Sequence, residues 1–494
     1  MNQALRRVSL ACLAMFLLLL LNTNYVQAFK ASSFVNDPQN GRTFTQQYQY
    51  QRGSIITADN ETIAESRHVS GIYSYQRYYP DPIPYAAVTG YVTAYSATGI
   101  EGAESKLLAG TDPRLTVRNL IDLITGKPKK GATVQLTINS VAQQAAYAAL
   151  KATGLPSGVV AIQPTTGAIL ALASYPSFNP NKYATFNGND LIKADNRYRN
   201  SPQQPLLNRA INETFPPGST FKIVTASTAF STGRYTPDSL YYAPTDLSLP
   251  GTTNKLINYD NLPCGSGGKV PLIYAFTVSC NTVYGGLGLH LGGSALRSQA
   301  NKFGMNRSLQ IPLTVSPSSY PPVSNPDYTA YSAIGQYNDA VTPLQEAMFA
   351  AAIANGGTLM RPYLVRQVIA PNLSTLVATQ PSVLSQAVSP GVAADVSRMM
   401  ASVVQSPYGT AHSITPLLGT ITVAAKTGTA QNGINNSGLD DAVFTCFSPA
   451  TGNPQIAVGV VVKGGGLGAD ASAPVAVKII KAYMQYLAAS QATR

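Results

Sequence analysis

The sequence predicts an α+β protein in which an antiparallel sheet is layered with helices, set behind an apolar N-terminal segment. Three observations carry this expectation. Ser157–Pro176 (SGVVAIQPTTGAILALASYP) reads as a hairpin, with Pro164 and Gly167 in the turn between two apolar runs. VAAKTGTA (Val423–Ala430) and QIAVGVVVKGGG (Gln455–Gly466) read as two buried strands lying side by side. Between and after these runs stand helical segments: residues 219–230, apolar nearly all round and stopped by Gly233, the capped run Thr342–Gly357, and an amphipathic terminal helix from Ala473.

In chain order the first element is the apolar run Val8–Leu21, preceded by Arg6 and Arg7. Extended to Phe29 it is long enough to cross a bilayer. Basic residues before it and few charges after it orient the rest of the chain outward. It is expected to be a retained signal-anchor in the cytoplasmic membrane; the rival is a removed signal peptide, because Val26-Gln27-Ala28 loosely fits a cleavage site. Residues 1–29 are thus assigned to a cytoplasmic stub and transmembrane anchor. Residues 30–128 are polar and turn-rich with short β-like runs such as GSIITA, and form a non-catalytic docking or spacer module. Lys127–Gly131 marks a loop, Thr133–Ile138 alternates as a strand should, and SVAQQAAYAALKATG is a helix stopped by Gly154. Residues 129–494 are assigned to the second domain.

Composition bounds the function classes. The 494 residues are 45% hydrophobic but only 11% charged, so hydroxyls and amides carry most of the polarity. The net charge of +12 is spread without a long Lys/Arg run, which gives no nucleic-acid footprint. His68, His290 and His412 are scattered and no Cys-x-x-Cys occurs, so a structural zinc site is not expected. Cys264 and Cys280 lie in a Gly-rich region of a chain placed outside the cytoplasm. A disulfide between them is expected to add about 3 kcal/mol by the chain-entropy account, the alternative being two free buried thiols.

FPPGSTFKIV (Phe215–Val224) carries the chemistry. Taken alone it is compatible with an ordinary helix start whose Lys222 is solvated. The apolar surroundings argue for a buried helix, on which Ser219 and Lys222 share a face. Burial and the positive helix end would both depress the lysine pKa, making it a base for a serine that is barely ionised by itself. Ser279-Cys280-Asn281 and Lys426-Thr427-Gly428-Thr429 follow in order. Either triplet alone is a commonplace loop or strand end; the ordered set behind an export segment is specific.

With these three motifs the chain resembles a class B penicillin-binding protein, a monofunctional peptidoglycan transpeptidase, of the smaller actinobacterial penicillin-binding protein A type. The likeness extends to RGSI (Arg52–Ile55), GIE (Gly99–Glu101), LTIN, VVAIQPTTGAILALASYPSFNPN, NRA (Asn208–Ala210), AIGQ (Ala333–Gln336) and AKTGTAQ, covering residue 45 to the end. Departures are mild: Pro216 stands where the family often has Glu, Gln163 and Asn179 where it has Asp, and Asp441-Ala442-Val443-Phe444 where it has His-Ala-Trp-Phe.

The resemblance implies a penicillin-binding, serine β-lactamase-like transpeptidase fold behind a β-rich dimerisation or pedestal domain. It also implies acyl transfer on peptidoglycan stem peptides, with no metal or organic cofactor required. By it, Ser219 attacks a D-Ala carbonyl, Lys222 takes its proton, and Ser279 relays a proton to the leaving amine with help from Lys426. Asn281 binds the substrate amide, Thr427, Gly428 and Thr429 line the carboxylate site, and the backbone N–H groups of Ser219 and Thr429 form the oxyanion hole. β-Lactam antibiotics are implied as covalent inhibitors, and glycan-polymerising divisome proteins as partners. The rival functions are a D,D-carboxypeptidase or serine β-lactamase on the same fold, and a non-catalytic sensor of wall peptides or β-lactams.

Overall fold

The computed structural model describes residues 2–35, 48–115, 129–259, 261–431 and 438–492. Of the expected loop at Lys127–Gly131, Lys127 and Pro128 lie outside these residues. The chain opens with helix α1 (Asn2–Tyr25), continued helically to Val35. The span Gln3–Lys30 has a mean hydropathy of 2.1 and buries none of it against the protein, as a segment built for an apolar solvent should.

Three strands follow: β1 (Ile55–Ile56), β2 (Thr62–His68) and β3 (Tyr75–Tyr78). Their sheet is completed from beyond residue 128. Strand β4 (Thr133–Leu136) runs parallel to β1, and two later strands, β7 (Val365–Ile369) and β8 (Thr375–Ala378), extend it to the order β8-β7-β4-β1-β2-β3. A buried ion cluster ties the RGSI and GIE strings together. Arg52 Nε lies 2.6 Å and Arg77 Nε 2.5 Å from the two oxygens of Glu101, and Arg77 also donates to Gly53 O at 2.7 Å. Burial alone would raise the Glu101 pKa, but Arg77 and Arg52 outweigh it and hold the carboxyl below its ordinary value.

Helix α2 (Ser140–Thr153) starts where Asn139 Oδ1 accepts the Ala142 N–H at 3.0 Å, and it stops at Gly154 in left-handed backbone. Strands β5 (Ser157–Ile162) and β6 (Ile169–Tyr175) form the expected hairpin. Helices α3 (Lys222–Ser231), α4 (Asn281–Leu291) and α5 (Pro343–Ala354) come next, and Thr342 caps α5 by accepting from Gln345 N–H. The second sheet is finished by β9 (Ala424–Ala430), β10 (Asp441–Ser448) and β11 (Ile456–Val462) before the terminal helix α6 (Ala473–Ala492).

This sheet is antiparallel throughout, in the order β9-β10-β11-β5-β6. Every residue of β10 and β11 is buried, so both faces are covered: α5 lies across β11 and β5, and α2 pairs with α6 against the sheet elsewhere. Two expectations are corrected here. The Lys-Thr-Gly strand β9 does not lie beside β11; β10 runs between them, because the antiparallel return from β9 takes up the nearest register. Nor do Ser219 and Lys222 sit on one α-helix. Gly218–Phe221 is a 3₁₀ turn and the α-helix starts at Lys222. In a 3₁₀ turn residues i and i+3 eclipse, which aligns the pair more closely than an α-helix does.

Candidate active site

Three elements meet around Ser219. The 3₁₀ turn packs on β9, and its Gly218 N–H donates to Gly335 O at 2.9 Å. Gly335, from the AIGQ string, has φ +76°, and a methyl there would stand 2.0 Å from Gly218 O. Opposite, Gly428 of the Lys-Thr-Gly strand passes close to the same turn: its missing Cβ would lie 2.8 Å from Pro217 O and 2.9 Å from Val443 Cβ. Gly428 is therefore a spacer that lets strand and turn approach, whatever its own contact with a ligand.

The third element is the start of α4. Ser279 is held at φ +61°, an unusual conformation for a non-glycine residue, which turns the chain so that both its hydroxyl and its carbonyl face Lys222. The helix's own N-cap, Cys280, makes no side-chain capping bond. The missing acceptor comes from Asn258, whose Oδ1 accepts the N–H groups of Asn281 (2.9 Å) and Thr282 (3.1 Å). Cys264, joined to Cys280 with Cα atoms 6.0 Å apart, fastens the loop that carries Asn258 to the same turn.

Lys222 is fully buried. Its Nζ lies 2.9 Å from Ser219 Oγ, 2.7 Å from Ser279 O, 2.8 Å from Asn281 Oδ1 and 3.2 Å from Ser279 Oγ. Burial, and then the charge of Lys426, push its pKa well below the usual lysine value. A neutral amine has two hydrogens and one lone pair. The Ser279 carbonyl and the Asn281 amide oxygen can only accept, so they engage both hydrogens and leave the lone pair facing the Ser219 hydroxyl. Lys426, also fully buried, donates to Ser279 Oγ at 2.8 Å and to Thr427 O at 3.1 Å; burial lowers its pKa to about 7.

The residues singled out in sequence thus converge. Ser219, Ser279, Asn281, Thr427 and Thr429 line one cleft of about 840 Å³, bounded also by Tyr259 and Gln336, and Lys222 and Lys426 lie beneath its floor. Thr410, which had no sequence signal, shares a 2.7 Å hydroxyl contact with Thr427 and lines the same cleft. Asn258 was missed for a related reason: a lone Asn in a loop has no motif, and its partner lies on the far side of the disulfide.

Comparison with known proteins accords with this geometry. Residues 157–485 match the penicillin binding protein transpeptidase domain, and residues 52–134 the penicillin binding protein A dimerisation domain. The chain belongs to the penicillin-binding protein family. Among these penicillin-binding proteins it is 42% identical over 475 residues to the peptidoglycan D,D-transpeptidase PbpA of Mycolicibacterium smegmatis, covering 94% of each chain. It is 40% identical over 499 residues to PbpA of Mycobacterium tuberculosis, covering 98% of this chain and 99% of the other. Penicillin-binding protein A from M. tuberculosis superposes with a TM-score of 0.84 in its ceftriaxone acyl-enzyme complex, at 38% identity, covering 89% of this chain and 99% of that one. Its penicillin G acyl-enzyme complex superposes at 0.83, again at 38% identity, covering 88% and 100%.

Proposed function

We propose that this penicillin-binding protein is a serine-type peptidoglycan D,D-transpeptidase, crosslinking stem peptides through an acyl-enzyme at Ser219. The observation that carries the reading is Lys222 Nζ lying 2.9 Å from Ser219 Oγ in a buried site. As Ser219 Oγ bonds to the penultimate D-Ala carbonyl carbon, its proton passes to Lys222 Nζ. The resulting oxyanion is held by the backbone N–H groups of Ser219 and Thr429. Collapse breaks the D-Ala–D-Ala amide, and the leaving amine takes a proton through Ser279, which both lysines reach. Asn281 binds the substrate amide. Thr427 and Thr429, with Lys426, hold the terminal carboxylate. An amine of a neighbouring stem peptide then attacks the ester, forming the crosslink and returning the proton to Ser219. β-Lactams enter by the same first step and stay bound as esters.

We further propose that α1 anchors the chain in the cytoplasmic membrane with the catalytic domain outside, and that glycan-polymerising divisome proteins are its partners. The apolar length of α1, with Arg6 and Arg7 ahead of it, supports the first; resemblance alone supports the second. Protease added to intact cells should cut the catalytic domain, and protection would reverse the topology. Crosslinking in dividing cells should recover a polymerase, and recovery of none would remove the partner assignment.

The acyl-enzyme is tested with a fluorescent penicillin. Wild type should label and hold the label over a chase, while Ser219→Ala should not label. Rapid release of ring-opened drug would instead indicate a hydrolase, and labelling of Ser219→Ala would refute the nucleophile.

A further inference from the structure

The hydroxyl of Thr220, next to the nucleophile, has two partners at the same distance. Its Oγ1 lies 2.8 Å from Pro217 O and 2.8 Å from Glu346 Oε1, and both side chains are fully buried. A hydroxyl has one hydrogen, and a peptide carbonyl can only accept. If Thr220 donates to Pro217, the contact with Glu346 needs a hydrogen on the carboxyl. The geometry points to Glu346 as a neutral carboxylic acid that donates to Thr220, so that Thr220 donates to Pro217 O and fixes the turn carrying Ser219. Glu346 is then a positioning residue for the acylation proposed above, and the inference of its role in that reaction rests on that reading.

The surroundings agree. Among the described residues Glu346 Oε2 has no hydrogen-bond partner, which a buried anion would not tolerate but a carbonyl-like oxygen does. Of the strands packed on α5, β5 and β11 carry no titratable residue, and β10 carries Asp441 and Cys446. The packed helix Pro390–Gln405 carries Asp395 and Arg398, which are half-buried and exposed. Among the described residues none of these ion-pairs with Glu346, and β10 meets it through Thr445, whose hydroxyl donates to its backbone carbonyl at 2.5 Å. Burial pushes the carboxyl up to about 8, against the opposing pull of the Thr220 bond.

The chain of contacts reaches the reacting groups. Pro217 O is the atom that Gly428 passes, with a would-be methyl 2.8 Å away, and Thr429 follows on the same strand. Holding that carbonyl sets the spacing between the Ser219 and Thr429 backbone N–H groups. When Glu346 ionises it competes for the Thr220 hydrogen, Pro217 O loses its donor and the turn is no longer pinned.

The test is Glu346→Gln in the full chain, because the amide N–H donates to Thr220 at every pH. Second-order acylation by a fluorescent penicillin and the melting temperature are measured for both proteins from pH 5 to pH 9. The two rates should match at pH 6.5, and at pH 9 wild type should lag by about tenfold, one unit above its pKa. Contributions of Lys222 and Lys426 cancel in the ratio. The melts have a defined sign. A glutamate titrates near ~4.3 unfolded and near 8 here, so between those values the folded wild type binds the extra proton, and its melting temperature should fall relative to the variant as pH rises. A rate ratio constant with pH overturns the positioning role, and so does a variant that cannot fold, since the amide reproduces the donor. If wild type takes no label, the acyl-enzyme reading fails separately; the melts then decide, and a pH-independent difference overturns the neutral acid.

Discussion

Burial, and then the charge of Lys426, depress the pKa of Lys222, the proposed base, whereas the acceptors around its Nζ would by themselves favour the charged form. The same fact predicts its pH dependence. Because its pKa is depressed well below the usual lysine value, Lys222 keeps its lone pair to lower pH than a solvated lysine; below that pKa the lone pair is lost and the rate should fall about tenfold per unit. Stopped-flow acylation across pH checks this, and a rate that rises on acidification would contradict the base assignment. Lys222→Arg keeps the charge but cannot deprotonate, so acylation should drop by more than ~100-fold, with folding checked by circular dichroism. At this scale the sequence was most legible where chemistry needs a fixed set of residue types. Ser219, Lys222, Ser279, Asn281 and Lys426 are such a set. Glu346 was not legible: one acid in the apolar run of α5 looks like an ordinary first-turn glutamate, and only its contact with Thr220 shows otherwise.

At the scale of elements, the site depends on how closely β9 can pass the Ser219 turn. Gly428→Ala would place a methyl 2.8 Å from Pro217 O, an atom of the turn's backbone that cannot swing away as a side-chain tip could. The expected cost is about 1–3 kcal/mol of stability, with slower acylation even where the protein stays folded. Urea unfolding and penicillin labelling measure the two; an unchanged rate in Gly428→Ala would show that the approach of strand to turn is not limiting. The hairpin β5–β6, the caps of α2 and α5 and strand β9 were readable because local signals mark their ends. Strand β10 was recognised only as a departure from a family string: Asn435-Asn436-Ser437-Gly438 stands before DAVFTCFS as a turn signal, but the pairing of the strand is set by its neighbours and not by anything local. The 3₁₀ start of the nucleophile turn was likewise hidden, because Pro-Pro-Gly is compatible with either kind of helix.

For the whole molecule, the Arg52–Glu101–Arg77 cluster ties the sheet that spans both halves of the chain to the short helix Gly99–Ala103. Glu101→Gln would leave two buried guanidinium groups facing each other and should cost about 3–5 kcal/mol. Since the Glu101 carboxyl titrates below its unfolded value, its contribution is present above about pH 4.3 and is lost as pH falls through the folded pKa. Urea unfolding of wild type and variant at pH 7 measures the difference, and equal midpoints would show the cluster to be dispensable. A division of the chain near residue 128 was expected from the change in composition there. The sheet that crosses it was not, because pairing between β4 and β7 joins segments with nothing local in common.

That crossing sheet has a consequence for biogenesis. β1, β2 and β3 are made early, yet the exposed side of β4 finds its neighbour only once Val365–Ile369 has been synthesised. Until then the chain holds an unfinished edge, open to pairing with any other extended chain. The interval between the two is a natural window for a chaperone, and a stalled or truncated product would be left with that edge unpaired.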